Sequence, residues 1–402
     1  MNPTAQWPSA AIPLMYALSL VFGLSPAQGG DLNWSDEVIL EASTFLITAF
    51  NNAQPMIRSR DEQSVFVGYE TDSGLHAAVI ENATLVHSQA IASLPNAGGL
   101  TFEDSPDGTL YAAYSSPAGV HVRASTDAGR SFGPEVTIPN AGSPASSPSM
   151  SFAADGVGYL TWFSGASGAT SVRYSVRDPN AETWSAGVDC DPGYTQSAFP
   201  CVWARGAWPL FAWRTDFDSS ASEKWVIRFA ELNGPTLNVS SLTSSTSSAF
   251  DPSVCRTADG TVLVGFFLGG GEIRFLRRRP GEAAFDPPQP LGDYGRFPRV
   301  VPNNRGMVGV SYEYSAVPGG PQQDEIKEVG FALSEGNGAS YTLRAIPVDM
   351  QGIHYQTFSH VWLSDHFVDL IWIDGRTPGI RALKWRSAQI PSESHVSNWR
   401  LY

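Results

Sequence analysis

Basic residues are scarce in this sequence, and none occurs before Arg58. Lys and Arg total 25 against 39 Asp and Glu, which leaves a net charge of −14. The only basic cluster is Arg277-Arg278-Arg279. Neutralised phosphates drive nucleic-acid affinity, so this balance speaks against a nucleic-acid partner or an anionic membrane surface. Cysteine is equally sparse: the three present lack metal-ligand spacing, and no cofactor motif accompanies them, so neither metal nor cofactor is expected. Cys190 and Cys201 bracket the turn-rich Asp191-Pro192-Gly193-Tyr194. One expectation is a disulfide closing that loop in an oxidising compartment; the other is three unpaired thiols. Long apolar runs are missing too. Ala10 to Leu24 is interrupted by Pro13, Ser19 and Gly23, too short and broken to span a bilayer. It precedes Ser25-Pro26-Ala27, a small-x-small pattern suited to signal peptidase, although no positive residue stands before it. The expectation is a signal peptide over 1–27 and one exported domain over 28–402, extracellular or periplasmic and monomeric.

Against those absences stands a generous apolar content, with 42% hydrophobic and 11% aromatic residues, enough for a large core. Gly 38 and Pro 29 favour many short turns over long helices. The strongest signal is periodic. Turn pairs stand between apolar runs at Asp61-Glu62, Asp107-Gly108, Asp155-Gly156, Arg205-Gly206, Asp259-Gly260, Arg305-Gly306 and Ser364-Asp365, spaced 46 to 59 positions apart. Asp-Gly between apolar segments marks a hairpin, because both residues tolerate positive φ. Each pair leads into a strand apolar on both faces and ending in an aromatic, from Val65–Tyr69 to Val368–Trp372. Third and fourth strands follow, as in Val120–Arg123 and Glu135–Ile138. Four strands per repeat predict an all-β fold, a β-propeller of seven four-stranded blades, with six as the alternative. Asn33–Leu40 reads as an outer strand without its blade, expected to pair with the last repeat and close the ring. Val396–Tyr402 is the other candidate for that place.

One motif carries a family resemblance. Ser125-Thr126-Asp127-Ala128-Gly129-Arg130-Ser131-Phe132 resembles the Asp box, Ser-x-Asp-x-Gly-x-x-aromatic, of the non-viral sialidases and related propellers (the BNR repeat). In such a turn Asp127 accepts backbone N–H bonds, Gly129 supplies tight backbone and Phe132 packs on the blade, with Ser125 opening it. Degenerate copies stand at Ser175–Trp184 and Arg277–Phe285. The resemblance implies a propeller and a carbohydrate-related role. A sialidase site needs three arginines for the substrate carboxylate, a Tyr nucleophile partnered by Glu, and an Asp acid–base. Its first arginine belongs to an Arg-Ile-Pro motif on the first inner strand, where this chain reads Ala53-Gln54-Pro55. Arg296-Phe297-Pro298 has that form in the sixth repeat, and those enzymes have six blades. These departures weigh against sialidase activity.

In a propeller, the loops joining second to third strands and outer to next inner strands line one mouth of the channel, where ligands usually bind. There the sequence places Glu70, Asp72, Arg214, Asp216, Asp374 and Arg376, with Tyr69, Tyr312, Trp213 and Trp372 just before the loops, and His354 and Tyr355 beyond. Rings that stack on sugar faces, together with charged groups that bond hydroxyls, suit a carbohydrate or glycoprotein ligand. The recurrent aromatics also read as packing between blades, and the carboxylates as solvated turn residues. Arg296, Glu313 and Tyr314 form the most enzyme-like trio, since a Glu can activate a neighbouring Tyr. His354 and Tyr355 offer the base and acid of a polysaccharide lyase. The sequence favours a binding propeller, with a glycoside hydrolase or a lyase as the alternative.

Overall fold

The structure, a computed structural model, describes residues 32–49, 52–93, 98–206, 208–216, 225–244, 247–292, 295–315, 327–343, 359–375, 377 and 379–391. Seven antiparallel sheets of four strands form a ring, the expected propeller, and no helix occurs among the described residues. The inner strands of blades 2 to 7 are Gly98–Asp104, Ala145–Phe152, Ser197–Trp203, Ala249–Arg256, Gly295–Pro302 and His360–Leu363. Blade 1 has a split inner strand, Leu46–Ile47 and Met56–Arg58, both pairing with Ser64–Thr71. Each inner strand touches the next in chain order, and the seventh touches the first.

The N-terminal strand closes the ring. Val38–Ser43 is the outer strand of blade 7, antiparallel to Arg381–Gln389. Lys384 fixes it through Glu37 at 2.7 Å while also holding Asp374 at 2.7 Å. Deeper in the same seam, the buried Arg58 of blade 1 grips the buried Asp369 of blade 7 with Nε and Nη2, at 2.7 and 2.6 Å. The rival partner, Val396–Tyr402, lies outside the described residues, as does the signal peptide expected over 1–27.

The turn chemistry follows the sequence. Asp107 accepts the Thr109 N–H and Asp259 the Thr261 N–H, each also held by a hydroxyl two residues earlier. Ser125–Phe132 folds as a compact turn. Asp127 takes bonds from Ser125 Oγ, the Ser131 N–H and Ser131 Oγ, which hold its carboxyl down at about 2. Gly129 has φ +74°, and a Cβ there would meet Phe66 at 3.0 Å. A second turn of this shape escaped the sequence reading. In Ser334–Tyr341 the Gly338 N–H bonds Ser334 Oγ, Asn337 and Gly338 have positive φ, and Tyr341 stacks on Phe275 as Phe132 stacks on Phe102. Gly336 stands where Asp127 does, so the carboxylate is gone while the backbone persists.

Of the two cysteine expectations, the disulfide is corrected and the three unpaired thiols hold. Cys190, Cys201 and Cys255 are all free and buried. Cys190 packs in a cluster with Val202, whereas Cys201 packs in another with Cys255. Successive strand residues point to opposite faces, so Cys201 turns away from the face that Cys190 shares with Val202. Burial pushes all three thiols up, Cys201 to about 12, which leaves them inert.

Candidate functional site

Five inner strands bulge at one place near the loop mouth. The register slips between Gly98 and Thr101, Ser146 and Ser149, Ala198 and Cys201, Phe250 and Ser253, and Arg296 and Arg299. The residue that turns the chain has positive φ each time: Gly99, Ser147, Phe199, Asp251 and Phe297. Proline follows in four of the five, at positions 148, 200, 252 and 298. Proline lacks a donor and restricts the residue before it, so it suits a point where the ladder is interrupted. That repeated residue-Pro pair was the missed signal for the inner strands.

In blade 1 the bulge grows into a plug. Ala49 and Asn52–Gln54, all buried, lie between the two pieces of the inner strand. Asn52 Nδ2 donates to the Ser147 and Pro200 carbonyls of blades 3 and 4, at 3.1 and 2.8 Å. Gln54 N–H donates to Thr101 Oγ1 of blade 2, and His360 Nε2 of blade 7 bonds the Ala49 carbonyl at 2.7 Å. Arg299 of blade 6 reaches the Asn52 carbonyl. Asn52, bonded to blades 3, 4 and 6, thus lies near the axis at the depth of the bulges, with Ala49 and Gln54 tied to blades 7 and 2 beside it. Burial and the neighbouring Arg299 drive the His360 imidazole down to about 3, keeping it neutral.

Above the plug, side chains differ by blade. Blades 2 and 3 present Gly98-Gly99 and Ser146-Ser147 at the bulge; blades 4 to 6 present Phe199, Phe250-Asp251 and Arg296-Phe297. Arg214 bonds Asp251 at 2.9 Å, with its guanidinium 4.3 Å from the Phe199 ring centroid and 4.7 Å from that of Trp225. Desolvation pushes the buried Asp251 carboxyl up, against the opposing fields of Arg214 and Arg296. Arg296 is half-buried, and Glu313 is its cross-strand partner, which puts both side chains on one face of blade 6. Phe199, Phe250 and Phe297 are half-exposed beside them. This group joins two guanidiniums, two carboxyls and three phenyl rings at one rim.

The other candidates separate. Tyr69, Trp213, Tyr312 and Trp372 are buried in the clusters between blades, so packing is their role. The Tyr69 hydroxyl bonds Ser88, and burial raises it to about 12. Asp374 is committed to Lys384, Asp216 accepts the Gln196 N–H at 2.9 Å, and the exposed Asp72 accepts from Thr44. Glu70 is half-buried at the mouth, and desolvation lifts its carboxyl to about 7. Tyr314 pairs with Gly295 through its backbone. His354, Tyr355 and Arg376 lie outside the described residues.

The opposite end of the channel holds a feature the sequence reading did not anticipate. A cavity of about 680 Å³ opens among the hairpins that join inner to second strands. Arg205 of blade 4 crosses it to Glu103 and Asp104 of blade 2, at 2.8 and 2.9 Å, and lies 4.9 Å from the Trp362 ring centroid of blade 7. Burial raises the Glu103 carboxyl to about 7 despite the Arg205 charge. Among the described residues, no group of three His, Cys, Asp or Glu is placed to hold a metal ion, and no helix is long and apolar enough to cross a membrane.

No family model and no curated protein matches the chain. Solved structures do. A protein of unknown function from Dyadobacter fermentans has 13% identity over 88% of this chain and 99% of its own, with a TM-score of 0.51. A PL25 ulvan lyase bound to -[GlcA(1-4)Rha3S]- has 11% identity over 83% and 92%, with a TM-score of 0.56. The Hadza microbial sialidase Hz136 covers 79% of this chain and 73% of its own at 11% identity; its TM-score of 0.48 carries no argument. At such identities the likeness shows the propeller fold alone.

Proposed function

We propose that this protein is a secreted, monomeric propeller that binds glycans or glycoproteins at the loop mouth of blades 4 to 6. The observation that carries the reading is the rim where half-buried Arg296 lies beside Glu313 and Asp251 among the half-exposed rings of Phe199, Phe250 and Phe297. Rings cover the apolar face of a sugar, while a guanidinium bonds its hydroxyls or acidic group. The plug lies near the axis beneath this mouth, so a ligand sits on the rim. A structural neighbour is a lyase bound to an acidic oligosaccharide, and that precedent supports sugar recognition on this scaffold. Export rests on Ala10–Leu24 with Ser25-Pro26-Ala27.

The test is a glycan array probed with purified protein, followed by titration of the best ligand against Arg296→Ala. The expected result is saturable binding weakened at least ~10-fold by the substitution, the size of one lost charge-assisted contact. Binding that Arg296→Ala leaves unchanged would move the site elsewhere. Turnover of fluorogenic glycosides that disappears in both Arg296→Ala and Glu313→Ala would make the rim a hydrolase site.

A further inference from the structure

We propose that the cavity among the hairpins is a second ligand site, on the opposite end of the channel, for a small saccharide bearing a carboxylate or sulfate. Its volume of about 680 Å³ falls inside the roughly 300–1,000 Å³ range of small-molecule sites. Two features define what would fit.

The first is a surplus of donors. Arg205 uses Nε and Nη2 on Glu103 and Asp104, and Arg60 uses Nε and Nη2 on the carboxylate and carbonyl of Asp104. The Nη1 groups of both have no partner among the described residues, and the Arg60 side chain is 43% exposed. Each carboxylate in the wall already has a partner. Glu62 accepts from His366, Asp259 from Thr257 and Thr261, and Asp365 from Asn304. Arg58 and Arg256, the remaining guanidiniums, are held by Asp369 and Glu231. The two Nη1 groups are donors, and a carboxylate or sulfate oxygen is the acceptor that guanidinium edges bind best. Glu103 adds to this preference: with its carboxyl near 7, the pair of guanidiniums faces less than two full negative charges at neutrality.

The second feature is aromatic surface. Trp203 and Trp362 line the cavity. Trp208, 46% exposed, follows closely in sequence, and its carbonyl accepts a bond from Arg256 of the cavity wall. A large ring left in solvent beside a polar cavity is the surface on which a sugar face stacks.

Calorimetric titration with D-galacturonate, D-galactose 6-sulfate and D-galactose tests this site apart from the mouth. The expected result is binding of at least one anionic sugar, ~10-fold tighter than galactose. Arg60→Gln and Trp208→Ala should each weaken it several-fold; both side chains are exposed, and an unchanged melting temperature confirms intact folds. Arg296→Ala should leave it unaltered. Galacturonate against the sulfate tells which anion is preferred. No binding of either anion, equal binding of galactose, or loss in Arg296→Ala but not in Arg60→Gln would each overturn the proposal.

Discussion

The two ends of the channel use the same charged residue types to different effect. At the hairpin end, Arg58, Arg205 and Arg256 each meet a carboxylate from another blade: Asp369, the Glu103–Asp104 pair and Glu231. At the loop end, blades 4 to 6 carry Arg214, Asp251, Arg296 and Glu313, while blades 2 and 3 offer glycine and serine on the same bulged backbone. Charges cancelled across a seam hold neighbouring blades in place. At the rim the carboxyls of Asp251 and Glu313 are buried, and it is the half-buried Arg296 that faces water and remains available to a ligand. A repeated backbone thus supplies positions, and the side chains decide which positions are structural.

The largest expected effect tests the seam side of this contrast. Asp369→Ala leaves a guanidinium buried without its partner and should cost ~3–5 kcal/mol, read as a fall in the urea midpoint. Arg296→Ala at the half-exposed rim should cost under ~1 kcal/mol. Equal losses would erase the difference between the ends. Next in size is an acid effect at the plug. The His360 imidazole sits at about 3 in the fold against 6.5 when free. Its contribution is therefore complete above pH 6.5 and drains away as pH falls towards 3. His360→Gln should flatten the decline in melting temperature across that window; an unchanged slope would remove His360 from the account. The smallest effect belongs to Glu70, raised from 4.5 to about 7 by desolvation. Here the sign reverses: wild-type stability falls as pH rises from 4.5 to 7, and Glu70→Gln should lessen that fall slightly, because the side chain is partly solvated.

Much of this architecture was legible because it is local. Asp107-Gly108 and Asp259-Gly260 announce hairpins by turn chemistry, and period-two apolar strands announce sheets, so seven blades and the closing N-terminal strand followed. What long-range packing decides was not legible. The Arg58–Asp369 pair joins residues 311 positions apart, and Arg205 meets Glu103 across 102. No spacing rule connects them. The recurring aromatics illustrate a related limit: Trp213 and Trp372 end their strands as a mouth residue would, yet the neighbouring blade covers them. Arg296 was singled out by its Arg-Phe-Pro form and Glu313 by its neighbour Tyr314, and the two stand on adjacent strands of one hairpin. Their company with Asp251 and Arg214 depends on how blades 4, 5 and 6 meet. Cys190 and Cys201 misled because closeness in sequence says nothing of which face a strand residue takes.

The pairing of Val38–Ser43 with Arg381–Gln389 also sets an order of events in time. On a ribosome, the first strand of the ring to emerge is the last to find its neighbour, because that neighbour is made more than three hundred residues later. Until then blades 1 to 6 can assemble only as an open arc with two raw ends. Completion is a single late event that depends on both strands of this pair being present in the same molecule.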